Sequence, residues 1–358
     1  MTRPRLRDLG ITIGSLPTGR FNAITDVPDV WVGHTTLVHD TPRVARTGVT
    51  VVVPRAGHIH ENSVFAGFHS FNGCGEMTGI SWIEESGLLM SPIALTDTTQ
   101  VGLVKDALIQ YALERRGRGA YFLGVVAETW GGWLNDRDAF HLTRDHVFQA
   151  LDSAASGPLP EGNVGGGTPM ICYDFKGGIG TASRVVEAGG APYTVGVLVQ
   201  ANQGEREQLQ VDGVPLGRQL GFDIVPSPWE DSGDGGWSLS GTSSLVGIIA
   251  TDAPLLPIQC KRLARRAVIG MARTGAVGGT GSGDLFLAFS TGNDVPLSDE
   301  MLTLRALPQH QLDSLFQAVV EAVEEAILNA LCAAETMTGV RGRTVHALPS
   351  DALQLIAR

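Results

Sequence analysis

The chain lacks the short motifs that most often betray a function. No two of its four cysteines stand in a CxxC spacing. Cys74, Cys172, Cys260 and Cys332 are far apart among small or apolar neighbours. That excludes zinc-ribbon and thioredoxin-like arrangements and reads as core thiols in a reducing compartment. No apolar run reaches the roughly 18 residues of a membrane-spanning helix. The basic start, Met-Thr-Arg-Pro-Arg-Leu-Arg, is not followed by the apolar h-region of a signal peptide. The expectation is a cytoplasmic protein with no membrane partner. Positive charge is also scarce: 26 Lys and Arg stand against 37 Asp and Glu, a net charge of −11. Nucleic-acid binding needs clustered cations to neutralise phosphates, so nucleic acid is excluded as the main partner.

Three nucleotide or hydrolase motifs are approached and missed. Gly162 to Thr168 is glycine-rich, but no Gly-Lys-Ser/Thr follows, so it is not a P-loop. Gly278-Gly279-Thr280-Gly281-Ser282-Gly283-Asp284 has the look of a dinucleotide loop, yet it opens an apolar run, Leu285 to Thr291, that reads as a strand where a Rossmann loop opens a helix. Gly-Thr-Ser-Ser-Leu at 241–245 is not the GxSxG elbow of an α/β-hydrolase.

What the chain does have is material for a large core. Of 358 residues 43% are apolar, and 46 glycines are spread among them, as in the tight loops of a layered fold. Strands are expected at 30–32 and 35–38, 48–53, 91–95, 121–126, 170–173, 193–199, 245–250 and 285–291. Helices are expected at 101–116, 143–155, 256–273 and 311–338, each with an apolar stripe. Residues 205–240 read as an exposed linker. No composition shift marks a domain boundary, so residues 1–358 form one domain of the α/β class. His58 and His60 form an HxH pair, but with no third ligand placed a surface loop is the simpler reading.

One stretch organises the rest. The small polar residues 237–244 run into Leu245–Ala250, a short β-branched segment that ends at Asp252-Ala253-Pro254. A serine at the head of a buried strand, fed by a loop, suits a nucleophile released by self-cleavage, because the cut gives it a free α-amine to act as its own base. Thr242, Ser243 and Ser244 compete for the role; the spacing to Ala250-Thr251-Asp252 favours Ser244.

This segment resembles the nucleophile segment of the DmpA-type L-aminopeptidase/D-esterase-amidases and their β-peptidyl aminopeptidase relatives. The resemblance runs from about residue 8 to the end and is weakest at 205–240. It takes in Gly75-Glu76-Met77-Thr78-Gly79, Glu128-Thr129-Trp130, Asn202 at a strand end, and Ser282-Gly283-Asp284. It implies a four-layer αββα sandwich like the N-terminal-nucleophile hydrolases. It also implies a cut between Ser243 and Ser244 that leaves an α subunit, 1–243, and a β subunit, 244–358. On the same grounds Ser244 is the nucleophile, Asn202 the oxyanion donor, Ser282 and Asp284 its neighbours, Glu128 the clamp on the substrate's ammonium and Trp130 a pocket wall. The substrate is a short peptide or an aminoacyl amide or ester, no metal or organic cofactor is required, and the assembly is a tetramer of αβ pairs. Ser243 stands where relatives carry Gly or Asn, and Asp284 where some carry Glu. Alternatives from other classes are an acyltransferase of the ornithine acetyltransferase type, an uncleaved scaffold, and a metallohydrolase built on His58 and His60.

Overall fold

Two β-sheets pack face to face, and helices cover both outer faces. The structure, a computed structural model, describes residues 3–56, 59–116, 123–229, 243–354 and 356. Among the described residues the strands are β1 (Trp31–His39), β2 (Ala45–Val53), β3 (Asn62–Gly73), β4 (Leu88–Leu89), β5 (Ile93–Asp97), β6 (Val125–Thr129), β7 (Ile171–Cys172), β8 (Phe175–Lys176), β9 (Gly178–Ala188), β10 (Ala191–Asn202), β11 (Ser244–Thr251), β12 (Gly283–Pro296) and a short pair, β13 (Met337–Thr338) and β14 (Thr344–Val345). The first sheet has the order β1-β2-β5-β6 and the second β4-β3-β12-β11-β10-β9, while β7 and β8 pair as a separate small hairpin. Among the described residues the α-helices are α1 (Ile80–Ser86), α2 (Val101–Arg116), α3 (Arg144–Asp152), α4 (Pro257–Arg273), α5 (Asp313–Ala333) and the short α6 (Ser350–Gln354).

The period-2 alternation of a strand assigns the layers. In β11, Val246, Ile248 and Ala250 join Ile93, Leu95, Val125 and Ala127 of the first sheet in the central core. Leu245 and Ile249 turn the other way and pack with α4 and α5 through Leu263, Ala267, Val323 and Ile327. The outer face of the first sheet, with Val49, Val51, Ala94 and Val126, is covered by Val104 and Leu108 of α2 and Val147 and Leu151 of α3. The result is the expected αββα sandwich.

Several boundaries differ from expectation. β1 runs unbroken through Gly33-His34. β6 carries Glu128 within the strand, where the sequence placed it just past the end; Tyr121 and Phe122 lie outside the described residues. β9 is not among the expected strands, because Gly177, Gly178 and Gly180 interrupt the apolar pattern at its start. Those glycines instead admit neighbouring backbone. A Cβ on Gly180 would stand 2.0 Å from the Ala326 carbonyl oxygen of α5, and one on Gly178 would stand 2.0 Å from that of Gly162. His58 and the end of the expected linker, 230–240, lie outside the described residues. The rest of it, 205–229, is not an exposed linker: Leu209, Val211, Leu216, Leu220 and Val225 are buried in the core shared with α4 and α5, and Arg206 is buried too.

Candidate active site

The antiparallel pairing of β10 with β11 sets Asn202 opposite Ser244, at the same end of the second sheet. The parallel partner β12 begins at Gly283 beside them. Three strand termini thus deliver Asn202, Ser244 and the Ser282–Asp284 segment to one place. Trp130, Asn202, Ser243, Ser282 and Asp284 line a cavity of about 430 Å³, with Phe222 and Trp229 as further aromatic walls. Ser244, 6% exposed, is not in the lining, whereas Ser243 before it is.

A single N–H ties the centre together. Gly283 N–H donates to Ser244 Oγ and to the Ser243 carbonyl oxygen, each at 3.1 Å. The carbonyl next to the serine and the serine's own oxygen therefore share one donor. Asn202 is fixed from behind: its Oδ1 accepts the Ile171 N–H at 2.8 Å, which leaves the amide nitrogen as the free, donating end. The Ser282 hydroxyl is buried beside the Asp284 carboxylate.

Asp284, 1% exposed, accepts the Leu245 N–H at 3.0 Å through Oδ1 and the Asn72 side-chain amide at 3.0 Å through Oδ2. Burial raises its pKa, and the Ser282 hydroxyl, the Asn72 amide and the Leu245 N–H only partly counter that. Glu128 lies outside the cavity lining. Its Oε1 accepts the Glu76 N–H at 2.9 Å, and its Oε2 accepts the Thr98 hydroxyl. Burial raises its pKa too. The glycine-rich stretch at 75–79 explains how Glu128 reaches the centre. Gly75 lies between Glu128 and Gly283, where a Cβ would meet Gly283 Cα at 3.1 Å and Glu128 Oε1 at 3.4 Å. Cys74 N–H donates to the Ser282 carbonyl at 3.1 Å and fixes that stretch against β12.

The sequence reading missed the residues that hold the carboxylates. Glu76 contributes its backbone N–H to Glu128. Asn72 lies three residues before the glycine-rich stretch at 75–79, whereas Thr98 is distant in sequence from Glu128 and carried no signal. His60 Nδ1 contacts the Met90 carbonyl at 3.1 Å. Among the described residues no group of three His, Cys, Asp or Glu side chains stands ready to hold a metal ion.

The family model of peptidase family S58 matches residues 22–345. A curated relative, the β-peptidyl aminopeptidase BapA of Sphingosinicella microcystinivorans, is 44% identical and covers 99% of this chain and 92% of its own. Among solved structures, a Burkholderia β-aminopeptidase superposes with a TM-score of 0.90 at 49% identity, covering 99% of this chain and 98% of that one. The L-aminopeptidase D-Ala-esterase/amidase of Ochrobactrum anthropi, a prototype serine aminopeptidase with a variant of the Ntn hydrolase fold, superposes with a TM-score of 0.90 at 43% identity and the same coverage. The chain belongs to peptidase family S58 and is a serine aminopeptidase with the Ntn hydrolase fold.

Proposed function

We propose that the chain cuts itself between Ser243 and Ser244 and then uses Ser244 to release N-terminal residues from short peptides, amides or esters with a free amino group. The observation that carries this is the Gly283 N–H, shared by Ser244 Oγ and the Ser243 carbonyl oxygen at 3.1 Å. It polarises that carbonyl beside the oxygen that would attack it. Ser244 Oγ adds to the Ser243 carbonyl carbon, the C–N bond breaks, and the nitrogen takes up the proton. Water then hydrolyses the ester, giving the Ser243 carboxylate and a Ser244 with a free hydroxyl and a free amine. The buried Ser282 hydroxyl and Asp284 carboxylate beside the head of β11 support this reading, since they offer acceptors to the new amine.

The amine, with a reference pKa of about 7.7–8.0, takes the Ser244 Oγ proton as that oxygen attacks the substrate carbonyl. Asn202 Nδ2 donates to the oxyanion, a contact that lowers the barrier by about 3–4 kcal/mol in other hydrolases. The amine returns the proton to the leaving group, and water releases the acid. Glu128 holds the substrate's ammonium by a charge-assisted hydrogen bond, and Trp130 walls the pocket. The 1–243 and 244–358 fragments stay together because the second sheet interleaves them: β3, β9 and β10 come from one, β11 and β12 from the other.

The assembly is a homo-oligomer, a tetramer of αβ pairs. The exposed apolar side chains after β12, Leu297, Met301, Leu302 and Leu304, support an oligomeric state. A cytoplasmic site is supported by four cysteines that are all free. Among the described residues no helix is long and apolar enough to cross a membrane.

The test of self-cleavage is intact mass and N-terminal sequencing of purified protein beside Ser244→Ala. Two fragments, one starting at Ser244 and absent from the variant, are expected. A single 37.8 kDa chain in both samples, or a fragment starting at Ser243, overturns the assignment.

A further inference from the structure

Lys176 is buried, with none of its surface exposed. Its ammonium has three N–H donors and meets three backbone carbonyls: Met170 and Gly177 at 2.9 Å and Gly167 at 3.3 Å. Among the described residues no carboxylate pairs with it, and burial pushes its pKa down to about 7. A cation without a counter-ion at such a position is costly, so the three carbonyls are what keep it there. They belong to the loop leading into β7 and to the residue that follows Lys176.

That loop meets the catalytic centre through Ile171. Lys176 pairs with Ile171 across the β7–β8 hairpin. The Ile171 N–H, next to the Met170 carbonyl that Lys176 holds, donates to Asn202 Oδ1 at 2.8 Å. The turn between the two strands, Tyr173-Asp174, has φ of 52° and 58°. These are left-handed values that cost non-glycine residues strain and persist where the surroundings enforce them. Gly177 N–H also donates to the Met170 carbonyl, at 2.8 Å, so the hairpin is closed from both of its strands.

We infer that Lys176 is a positioning residue for catalysis: it holds the Met170–Ile171 peptide so that the Ile171 N–H fixes Asn202 with its amide nitrogen toward the cavity. The inference rests on the proposed role of Asn202 as oxyanion donor. The orientation matters because a side-chain amide presents opposite polarity at its two ends. Turned over, Asn202 would present an acceptor to the developing negative charge. Lys176 itself touches neither substrate nor reacting atoms in this scheme.

The test is a double-mutant cycle on aminoacyl p-nitroanilide hydrolysis with Lys176→Met, Asn202→Ala and the pair. Lys176→Met is expected to lower kcat about tenfold or more while leaving KM within about twofold, the mark of an interaction made only in the transition state. In the Asn202→Ala background the same substitution is expected to cost less than twofold. A purely structural role would lower both backgrounds equally, and such additive losses overturn the inference alone. An Asn202→Ala variant with unchanged kcat overturns the reading of Asn202, and this inference with it. If Lys176→Met does not fold, Lys176→Gln, which keeps amide donors for part of the cage, takes its place. It is held to the same non-additivity, and a kcat within twofold of wild type overturns the proposal.

Discussion

Helix α5 and the catalytic centre both bury carboxylates, and they hold them by opposite means. On α5, Glu321 and Glu325 meet the fully buried Arg184 at 3.0 and 2.6 Å, and Arg7 reaches Glu325 at 2.8 Å. Burial works against both charges. Hydrogen bonds from Gln317 and the Ser15 and Leu16 N–H groups to Glu321, and from Arg7 to Glu325, together with Arg184, outweigh it and lower both pKa values. At the centre, Glu128 and Asp284 are held only by N–H, amide and hydroxyl donors, and burial prevails: both pKa values are raised. The α5 carboxylates are complete as the chain stands. Those at the centre are fixed in place with no cation beside them among the described residues, and the proposed chemistry supplies one to each. On that proposal the new α-amine of Ser244 would lie near Asp284, and the substrate's ammonium would come to Glu128. Buried charge that is already compensated serves the fold, and buried charge that awaits a partner serves the reaction.

The difference also bears on processing. Arg7 and Arg184 precede the proposed cut and α5 follows it, so the ion cluster joins the two fragments from within. Glu325→Gln tests that side of the comparison hardest. Removing one member of a buried charge cluster leaves its arginine partner short of a counter-charge. A loss of about 3–5 kcal/mol in denaturant unfolding is expected, with activity per folded molecule unchanged. An equal loss of activity in folded protein would erase the distinction.

A smaller effect sharpens the contrast through pH. Glu325 has a lowered folded pKa. Its stabilisation is present above the unfolded value, about 4.3, and is lost as pH falls through the folded one. Glu128 has a raised folded pKa. Its contribution is present below the unfolded value and lost as pH rises through the folded one. Unfolding titrations should therefore slope in opposite directions. The stability deficit of Glu325→Gln relative to wild type should shrink on acidification from pH 7 to 3. The stability of Glu128→Gln relative to wild type should rise between pH 4 and 7. Parallel slopes would mean that the two carboxylates sit in like surroundings.

The sequence shows the catalytic half of this picture better than the structural half. The head of β11, the strand-end Asn202 and the Ser282-Gly283-Asp284 turn are local patterns, each a few residues of small or polar type beside an apolar run. The apolar face of α4 was legible for the same reason: Cys260, Leu263, Ala264, Ala267 and Met271 are all buried as their spacing requires. The α5 cluster was not. Glu321 and Glu325 look like a solvated helix face until β9 is seen to pass beneath them. β9 was hidden because its glycines, Gly180 admitting α5 and Gly178 the Gly162 backbone, interrupt the apolar pattern. Thr98 and Lys176 stayed hidden because their contacts are made by tertiary approach.

The most direct measurement compares wild type with Glu128→Gln on a matched pair of aminoacyl p-nitroanilides, one with a free amine and one N-acetylated. If Glu128 is held ready for the substrate's ammonium, wild type should prefer the free amine strongly. The variant should lose about tenfold to a hundredfold in kcat/KM on that substrate alone, since a hydrogen bond to a charged group contributes about 1.5–3 kcal/mol. A variant that keeps the wild-type preference, or slows equally on both substrates, would contradict the reading of the centre as a place of buried charge awaiting its partner.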